Sequence, residues 1–445
     1  MGLAALDTPV SGWGRHPVIP GHLVRPERYG DLDALSGALA RGLGRSYGDA
    51  ALRRDGTLCS MLRLNRMLSF DPDTGVLVAE AGLSLAEIAA HFLPQGWFLP
   101  VTPGTKFVTL GGALAADVHG KNHHLDGCIS EHVPWIELST PAEGMLRCGP
   151  ELDPELFWAT AGGLGLTGII GTVALRLKPV PGPWLEVRHR PARDLDQILE
   201  LLADPHLDAP YSVAWIDCLA RGPRLGRSVL MLGRHLEGEE GASPFPLAPR
   251  FNLPFELPAF CLGTASVRLF NEVYYRINAG KTRPFRSGLD PFFYPLDALG
   301  HWNRAYGARG FVQYQCVLPE ASAREGLLRI LEAISAAGAA SFLAVLKKLG
   351  AEGRGFLSFP RPGFTLALDM PFRGEATLAL LRLLDQLVLA HDGRVNLCKD
   401  AHLGREAFQS MYPRLDRWRA VKRRVDPEGR LASGLSSRLG LTEEP

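Results

Sequence analysis

The sequence has little that would indicate an exported, metal-binding or nucleic-acid-binding protein. Its seven cysteines are odd in number and form no C-x-x-C pair, so neither a disulfide framework nor a zinc site is indicated. The formal net charge of +1 gives no basic surplus for nucleic acid. No apolar run of about 18 residues occurs, and the start of the chain lacks the pattern of a signal peptide. We therefore expect a cytoplasmic protein with no metal and no nucleic-acid partner.

The chain is long enough for two domains. Its 445 residues exceed what one ordinary hydrophobic core accommodates, and 46% hydrophobic with 21% charged residues is a globular balance. Pro179, Pro181 and Pro183 interrupt the chain and predict a boundary there. The region beyond them mixes helical and strand-like segments. This pattern predicts an α+β fold, with helices on one face of an antiparallel sheet.

Local patterns predict individual elements. Ser84 and Glu87 form the pattern of a capping box, and residues 71–75 read as a hairpin turn. The predicted helices cover residues 84–92, 153–161, 322–337, 375–390 and 405–425. The predicted strands cover residues 58–64, 76–79, 168–177, 311–317, 341–346 and 364–370.

The first of three glycine-rich segments is RGLGRSYGD, residues 41–49. Its glycines allow positive φ and close approach to a ligand, and successive amides in such a loop form a concave anion site. Arg41 or Arg45 could add a charged contact to a phosphate. On its own, the segment could equally be a structural turn.

The second segment begins at Pro103 and continues into GGALAADVHGKNHH, residues 111–124. Small residues at 111–116 leave room for a planar ring or a diphosphate. The three histidines lack the helical i, i+4 spacing of a metal pair, and no carboxylate cluster lies nearby, which argues against a metal site. A catalytic or cofactor-contacting role is favoured for His119 or Lys121. We expect His123 and His124 to be structural, or hydrogen-bonded near the cofactor.

The third segment, residues 163–168, matches the dinucleotide pattern G-x-G-x-x-G. In a Rossmann unit this pattern follows a strand, opens a helix and precedes an acidic residue about 20 positions on. Here it follows a predicted helix and opens a predicted strand, and the acidic residue is missing. The chain is therefore expected to bind its nucleotide in another way.

The order of these segments resembles the FAD domain of the p-cresol methylhydroxylase (PCMH) / vanillyl-alcohol oxidase superfamily. More closely, the sequence resembles the decaprenylphosphoryl-β-D-ribose 2′-oxidase family, through blocks such as ARGLGRSYGD, DVHGKNHH and ELFWATAGGLGLTGII that together span residues 11–439. The resemblance implies a PCMH-type FAD-binding domain formed by residues 1–183 and 394–445. An antiparallel-sheet substrate domain, residues 184–393, would lie over the flavin. Many relatives attach FAD through a histidine of the first loop; Arg45 stands there, which implies non-covalent FAD.

The glycine-rich segments and the resemblance together give the expected site. Lys399 and His119 are the catalytic candidates, each as a base; Lys399 could instead stabilise the reduced flavin by its charge. The expected cofactor-binding residues are Arg41, Gly42, Leu43, Gly44, Arg45, Ser46, Tyr47, Pro103, Gly104, Thr105, Gly111, Gly112, Ala116, His119, Asn122, His123, Gly163, Gly168, Ile169, Ile170 and Lys399. The expected substrate-binding residues are Lys121, Trp215, Phe293, Gln313, Gln315, Lys347 and Thr365.

The resemblance implies oxidation of the 2′-hydroxyl of a polyprenylphosphoryl-β-D-ribose to a ketone. A separate NAD-dependent short-chain reductase would then reduce the ketone, giving the arabinose lipid for cell-wall polysaccharide. The substrate wall departs from the family, which carries Tyr, Phe, Asn, Cys and Tyr at the positions of Phe293, Leu349, Thr365, Ala367 and Asn396. Another sugar or alditol therefore stays open as substrate, and so does a non-catalytic flavin-binding protein.

The proline-rich segment 239–262 carries several large apolar residues and should not be forced into regular structure. It is expected to be either a loop that covers the core or a mobile, lipid-facing lid. The second alternative would give peripheral contact with the inner membrane.

Overall fold

The structure is a computed structural model that describes residues 3–207, 209–238, 243–339 and 341–441. Its α-helices are α1 (Leu85–Phe92), α2 (Leu110–Ala115), α3 (His123–Asp126), α4 (Pro154–Thr160), α5 (Leu195–Ala203), α6 (Thr264–Ala279), α7 (Leu289–Phe293), α8 (Glu320–Ala336), α9 (Glu375–Ala390), α10 (Arg405–Met411), α11 (Leu415–Val425) and α12 (Gly434–Leu439). Its strands are β1 (Ala4–Ser11), β2 (Val18–Arg25), β3 (Leu39–Arg41), β4 (Thr57–Ser60), β5 (Met67–Asp71), β6 (Val76–Glu80), β7 (Trp97–Phe98), β8 (Trp135–Thr140), β9 (Gly144–Cys148), β10 (Ile169–Arg176), β11 (Lys178–Pro179), β12 (Trp184–Ala192), β13 (Tyr211–Ile216), β14 (Ser228–His235), β15 (Phe251–Asn252), β16 (Phe285–Gly288), β17 (Leu299–Gly300), β18 (Phe311–Leu318), β19 (Ala344–Leu349), β20 (Gly363–Pro371) and β21 (Arg394–Val395).

Two sheets form the first part of the chain. One has four strands in the order β1-β2-β4-β3 with antiparallel and parallel pairs, and the other is antiparallel in the order β5-β6-β10-β8-β9. The central strand β10 is buried from Ile169 to Leu175. A strand enclosed on both faces reads as a continuous apolar run rather than an alternating one, as 168–177 does.

The middle of the chain forms an antiparallel sheet of eight strands in the order β16-β12-β14-β13-β19-β20-β18-β21. Side chains along a strand alternate between the two faces, so Tyr314 and Cys316 of β18 point away from Gln313 and Gln315. The Tyr314 hydroxyl donates to Asp385 of α9 at 3.0 Å, which places the helical layer on that side. The fold is thus α+β, as predicted, with the opposite face available for a site.

The end of the chain returns to the first part. Strand β21 pairs with β18 at the edge of the eight-stranded sheet. Beyond it, Trp418 of α11 donates to the carbonyl of Ala159 at 3.1 Å, and Arg438 of α12 bonds to Asp49 at 2.8 Å. These contacts hold the end of the chain against its first part, as the proposed split FAD-binding domain requires. Residues 184–393 remain the proposed substrate domain.

Several local predictions are confirmed. The turn at 71–75 joins β5 to β6, Ser84 and Glu87 form both bonds of the capping box, and α9 has the predicted bounds. The predicted strand 58–64 was wrong beyond Ser60, where a short 3₁₀ helix follows, and β19 starts three residues later than expected. The single helix predicted for 405–425 was also wrong: it is two helices, because Pro413 lacks the amide that would continue α10.

The proline-rich segment is described in part. Residues 239–242 lie outside the described residues. The remainder contains the two-residue strand β15, paired in parallel with β17, and a 3₁₀ turn at 259–262. Among the described residues, no helix is long and apolar enough to cross a membrane.

Candidate active site

Five predicted substrate residues lie on one face of the eight-stranded sheet. Trp215 pairs with Val345, Val345 with Ala367, and Ala367 with Gln315, so these four form a row across β13, β19, β20 and β18. Directly paired residues share a face, and residues two positions apart do as well. The same face therefore also carries Gln313, Lys347 and Thr365, which together with Trp215 and Gln315 are the five predicted substrate residues.

A chain of amide hydrogen bonds crosses this face. The backbone N–H of Cys398 donates to Asn396 Oδ1 at 3.1 Å, and Asn396 Nδ2 donates to Gln315 Oε1 at 3.0 Å. Gln315 Nε2 then lies 3.1 Å from His119 Nε2 and 3.2 Å from Thr365 Oγ1. The chain links the turn that bears Lys399 to the imidazole of His119.

Lys399, the predicted catalytic lysine, lies beside Tyr47. Its Nζ is 4.2 Å from the centre of the Tyr47 ring, and the N–H of Tyr47 donates to the Cys398 carbonyl at 3.1 Å. An ammonium over an aromatic face is attracted by the ring quadrupole. Burial lowers the pKa of Lys399, while Cys398 and Asp369 act to raise it. The structure thus brings Tyr47, His119 and Lys399 together.

Two further lysines, Lys121 and Lys347, lie in the same region as Lys399 and can add positive charge to it. Burial, with a contribution from Lys347, lowers the pKa of Lys121 to about 7; burial and the charge of Lys399 lower that of Lys347 to about 8. Lys121 Nζ donates to the carbonyl of Phe293 at 3.1 Å. Burial and the nearby lysine charges also hold the pKa of His119 well below its usual value, so this imidazole is neutral near pH 7. Such a set of cations suits an anionic ligand.

Asp369 is a functional candidate that sequence reasoning missed. It lies opposite Gln313 in the β18–β20 pair, is fully buried, and accepts from Gln313 Nε2 at 2.6 Å through Oδ1. Its Oδ2 has no partner among the described residues. Burial raises the pKa of this carboxyl to about 7. The signal was its position two residues beyond Ala367 on a strand whose face was already of interest.

The structure also brings the three glycine-rich segments together. A Cβ on Gly42 would lie 2.3 Å from Thr109 Oγ1, so the first segment touches the residue that caps α2 in the second. The amides of Gly162 and Leu164 donate to the carbonyls of Leu114 and Ala115, at 3.1 and 2.8 Å. The third segment therefore packs on the second.

These loops offer room and hydrogen-bond donors that would suit FAD. Gly165 is buried, yet a Cβ added there would meet no atom within 4 Å, so it borders internal space. At Gly104, which is exposed, an added Cβ would also meet no atom. Arg45 lies 3.8 Å from the Trp13 ring centre, and its buried Nε has no partner among the described residues. An unpartnered guanidinium donor suits a phosphate or flavin oxygen.

Other glycines and Arg41 have packing roles. Added Cβ atoms on Gly163 and Gly168 would come within 2.2 Å of the Ala159 carbonyl and 2.7 Å of the Ser139 carbonyl. Arg41 donates to the carbonyls of Ser11 and Ala51, so the phosphate contact that either arginine could make is better placed on Arg45.

The remaining expected residues lie around this core. The amides of Gly111 and Gly112 already donate to the Ala81 carbonyl and Thr109 Oγ1, so these glycines would offer FAD space rather than donors. Phe293 is packed among aromatic rings and meets the site through its carbonyl. The others surround the loops: Leu43, Gly44 and Ser46 in the first, Pro103 and Thr105 before α2, Ala116 at its end, Asn122 and His123 at α3, and Ile169 and Ile170 at the start of β10.

Comparison with known proteins agrees with this geometry. The family model described as an FAD binding domain matches residues 37–149. The chain is 38% identical to decaprenylphosphoryl-beta-D-ribose oxidase of Mycolicibacterium smegmatis, over 97% of each chain. The chain belongs to the decaprenylphosphoryl-β-D-ribose oxidase family. It is therefore an FAD-dependent oxidoreductase, and the expected cofactor and enzyme class are confirmed.

More distant relatives extend the picture. This member of the decaprenylphosphoryl-β-D-ribose oxidase family is 35% identical to an uncharacterized protein of Streptomyces coelicolor, over 81% of this chain and all of that protein. It is 24% identical to L-gulono-1,4-lactone dehydrogenase of Mycobacterium tuberculosis, over 94% of this chain and 96% of the relative.

Proposed function

We propose that this protein oxidises the 2′-hydroxyl of a polyprenylphosphoryl-β-D-ribose to a ketone, with FAD held non-covalently. One observation supports the proposal most strongly: Lys121, Lys347 and Lys399 lie around one sheet face. The chain that carries them is similar along nearly its whole length to a decaprenylphosphoryl-ribose oxidase. A phosphorylated sugar needs such cations, and a neutral alditol does not. Non-covalent attachment follows from Arg45, which cannot form the bond that a histidine forms in related flavoenzymes.

Lys121 and Lys347 are proposed to hold the substrate phosphate. Their lowered pKa values of about 7 and about 8 arise from burial and from repulsion between like charges. A phosphate that binds between them would offset both causes and return the lysines to the protonated form. The charge of the phosphate thus restores the lysine charges that burial disfavours in the free protein.

Lys399 is proposed to accept the proton of the reacting hydroxyl. FAD, when bound, supplies the acceptor for the hydride that leaves the sugar carbon. His119 Nε2 already lies against the Gln315 amide at 3.1 Å, which leaves that nitrogen unavailable as a base. Lys399 has a pKa lowered by burial, as a lysine base requires. His119 would then orient the substrate as a donor through Nδ1.

The test is anaerobic reduction of the bound flavin, followed by its visible absorbance. We expect bleaching when the holoprotein is mixed with a polyprenylphosphoryl ribose, and a ketone at the 2′ position of the product. Free alditols and L-gulono-1,4-lactone are the comparison substrates, because of the altered wall residues and the lactone dehydrogenase relative. Faster bleaching by either of these would replace the proposed substrate by a soluble sugar or alditol. No bleaching by any of them would favour a non-catalytic flavoprotein.

We also propose a separate NAD-dependent short-chain reductase as functional partner. A ketone product has lost the 2′ stereocentre, and a second hydride transfer must restore it in the arabinose configuration. The family resemblance implies that this partner is an NAD-dependent short-chain enzyme; the chemistry of the product requires only a reductase.

A further inference from the structure

Helix α6 exposes a continuous apolar stripe. Leu269, Phe270, Val273 and Ile277 are exposed to 68, 45, 48 and 58%. Their spacing of three to four residues places them along one side of the helix. An apolar stripe of this kind on a surface helix marks an interaction site more often than scattered apolar residues do.

The other side of α6 packs against the wall of the candidate active site. The Tyr274 ring lies 4.7 Å from the ring of Trp215, and the carbonyl of Asn278 lies 3.2 Å from His189 Nδ1 on β12. At the edge of the stripe, Phe270 contacts Phe342, whose carbonyl accepts from Trp215 Nε1 at 3.2 Å. One helix therefore separates the predicted substrate wall from the exposed stripe.

The flanks of the stripe are basic. Residues 263–288 contain five lysines or arginines and one acidic residue, Glu272. Glu272 accepts from Arg227 Nη1 at 2.6 Å and also pairs with Arg276. Arg268, Lys281 and Arg283 are exposed. A basic amphipathic helix is typical of a protein that rests on an anionic membrane surface.

We propose that the face of α6 formed by Leu269, Phe270, Val273 and Ile277 docks on an anionic phospholipid membrane. This inference rests on the proposed function, because a polyprenyl substrate resides in a membrane and must reach the wall at Trp215. The stripe places apolar side chains at the lipid and the basic flank at the headgroups. A single short stripe gives weak, reversible attachment, so the protein can leave after turnover.

The test is cosedimentation of the FAD-loaded protein with vesicles, without substrate. Vesicles of phosphatidylglycerol with phosphatidylcholine are compared with vesicles of phosphatidylcholine alone. We expect binding to the anionic vesicles that decreases with salt. In L269E/V273E/I277E we expect a loss of at least about tenfold, since negative charges replace the apolar side chains that would enter the membrane. The matched control is L383E, at a leucine of α9 that is 44% exposed; it should bind as wild type does. The flavin spectrum and melting temperature report whether each variant is folded.

Wild-type protein that stays in the supernatant at low salt would overturn the proposal, as would a triple variant that binds as well as wild type. Dimerisation in the ultracentrifuge that the triple variant abolishes, without vesicle binding, would assign the stripe to a second copy instead. The proposed substrate is judged separately, by flavin bleaching with substrate dispersed in detergent. Vesicle binding with no bleaching would support the docking face and contradict the proposed substrate. Bleaching without vesicle binding would support the proposed substrate and contradict the docking face.

Discussion

Gln315 Nε2 lies 3.1 Å from His119 Nε2, and this contact determines where the imidazole carries its proton. The Cys398 amide fixes Asn396, Asn396 Nδ2 fixes Gln315 Oε1, and the Gln315 amide nitrogen must then donate to His119. An amide nitrogen cannot accept, so His119 Nε2 is the acceptor and Nδ1 carries the proton. Residues on three separate segments therefore set one tautomer.

The first prediction concerns this tautomer. We expect His119 to remain neutral, with the proton on Nδ1, at the pH where an ordinary histidine becomes half protonated, because burial and nearby lysines lower its pKa well below the usual value. Nitrogen NMR of histidine-labelled protein, with the His119 signal identified from H119Q, measures it directly. A His119 signal that titrates near the usual histidine pKa would contradict the prediction, as would an Nε2–H pattern.

Lys399 gives the second prediction. K399M should keep FAD but reduce flavin bleaching by substrate by roughly a hundredfold or more, the usual loss for a missing proton-transfer group. The control is K348M, on the same strand as Lys347 but on the opposite face, where Lys348 pairs with Glu320 at 3.1 Å. Stopped-flow absorbance distinguishes the two. If the flavin of K399M is bleached at the wild-type rate, Lys399 does not take part in the proton transfer.

The mode of FAD attachment gives the third prediction. Arg45 cannot bond covalently to the flavin, so acid denaturation should release all of the yellow colour into the supernatant. Absorbance of the supernatant and pellet measures this, and a denaturing gel should show no flavin fluorescence at the protein band. A fluorescent band would show that another side chain forms the bond.

What the residue pattern alone predicted was local, whereas the family resemblance supplied Lys399 and the residues of the sheet face. The capping box of α1, the turn at 71–75 and the glycine-rich loops follow from neighbouring residues, whose turn and helix chemistry acts over a few positions. The spacing of Asp369 from Ala367 could have placed it on the face of the site, but its burial and its bond to Gln313 depend on the β18–β20 register between distant segments. Helix α6 was not predicted, since half of its apolar residues face outward. The break between α10 and α11 was predictable from Pro413.

A buried ion pair supports the fourth prediction. Lys106 Nζ bonds to Asp290 at the start of α7, with both side chains almost fully buried. D290A should destabilise the protein by about 3–5 kcal/mol, because it leaves a buried lysine charge unpaired. E325A removes the exposed Arg329–Glu325 pair and should cost no more than about 1 kcal/mol. Melting temperatures compare the two variants. Equal effects would mean that the buried lysine finds another partner or loses its proton.

Asp369 gives the last prediction, a pH dependence of stability. Its pKa is raised from 3.8 to about 7 by burial, so the unfolded chain loses this proton before the folded chain does. Stability then falls as pH rises between about 4 and 7, by up to about 4 kcal/mol at the upper end. D369N keeps an oxygen for Gln313 and removes this ionisation. Its melting temperature should therefore rise relative to wild type as pH increases through that window, while D33N, at an exposed aspartate, should follow wild type. A difference between D369N and wild type that does not change with pH would mean that Asp369 is already ionised at low pH, held by the charge of Lys399.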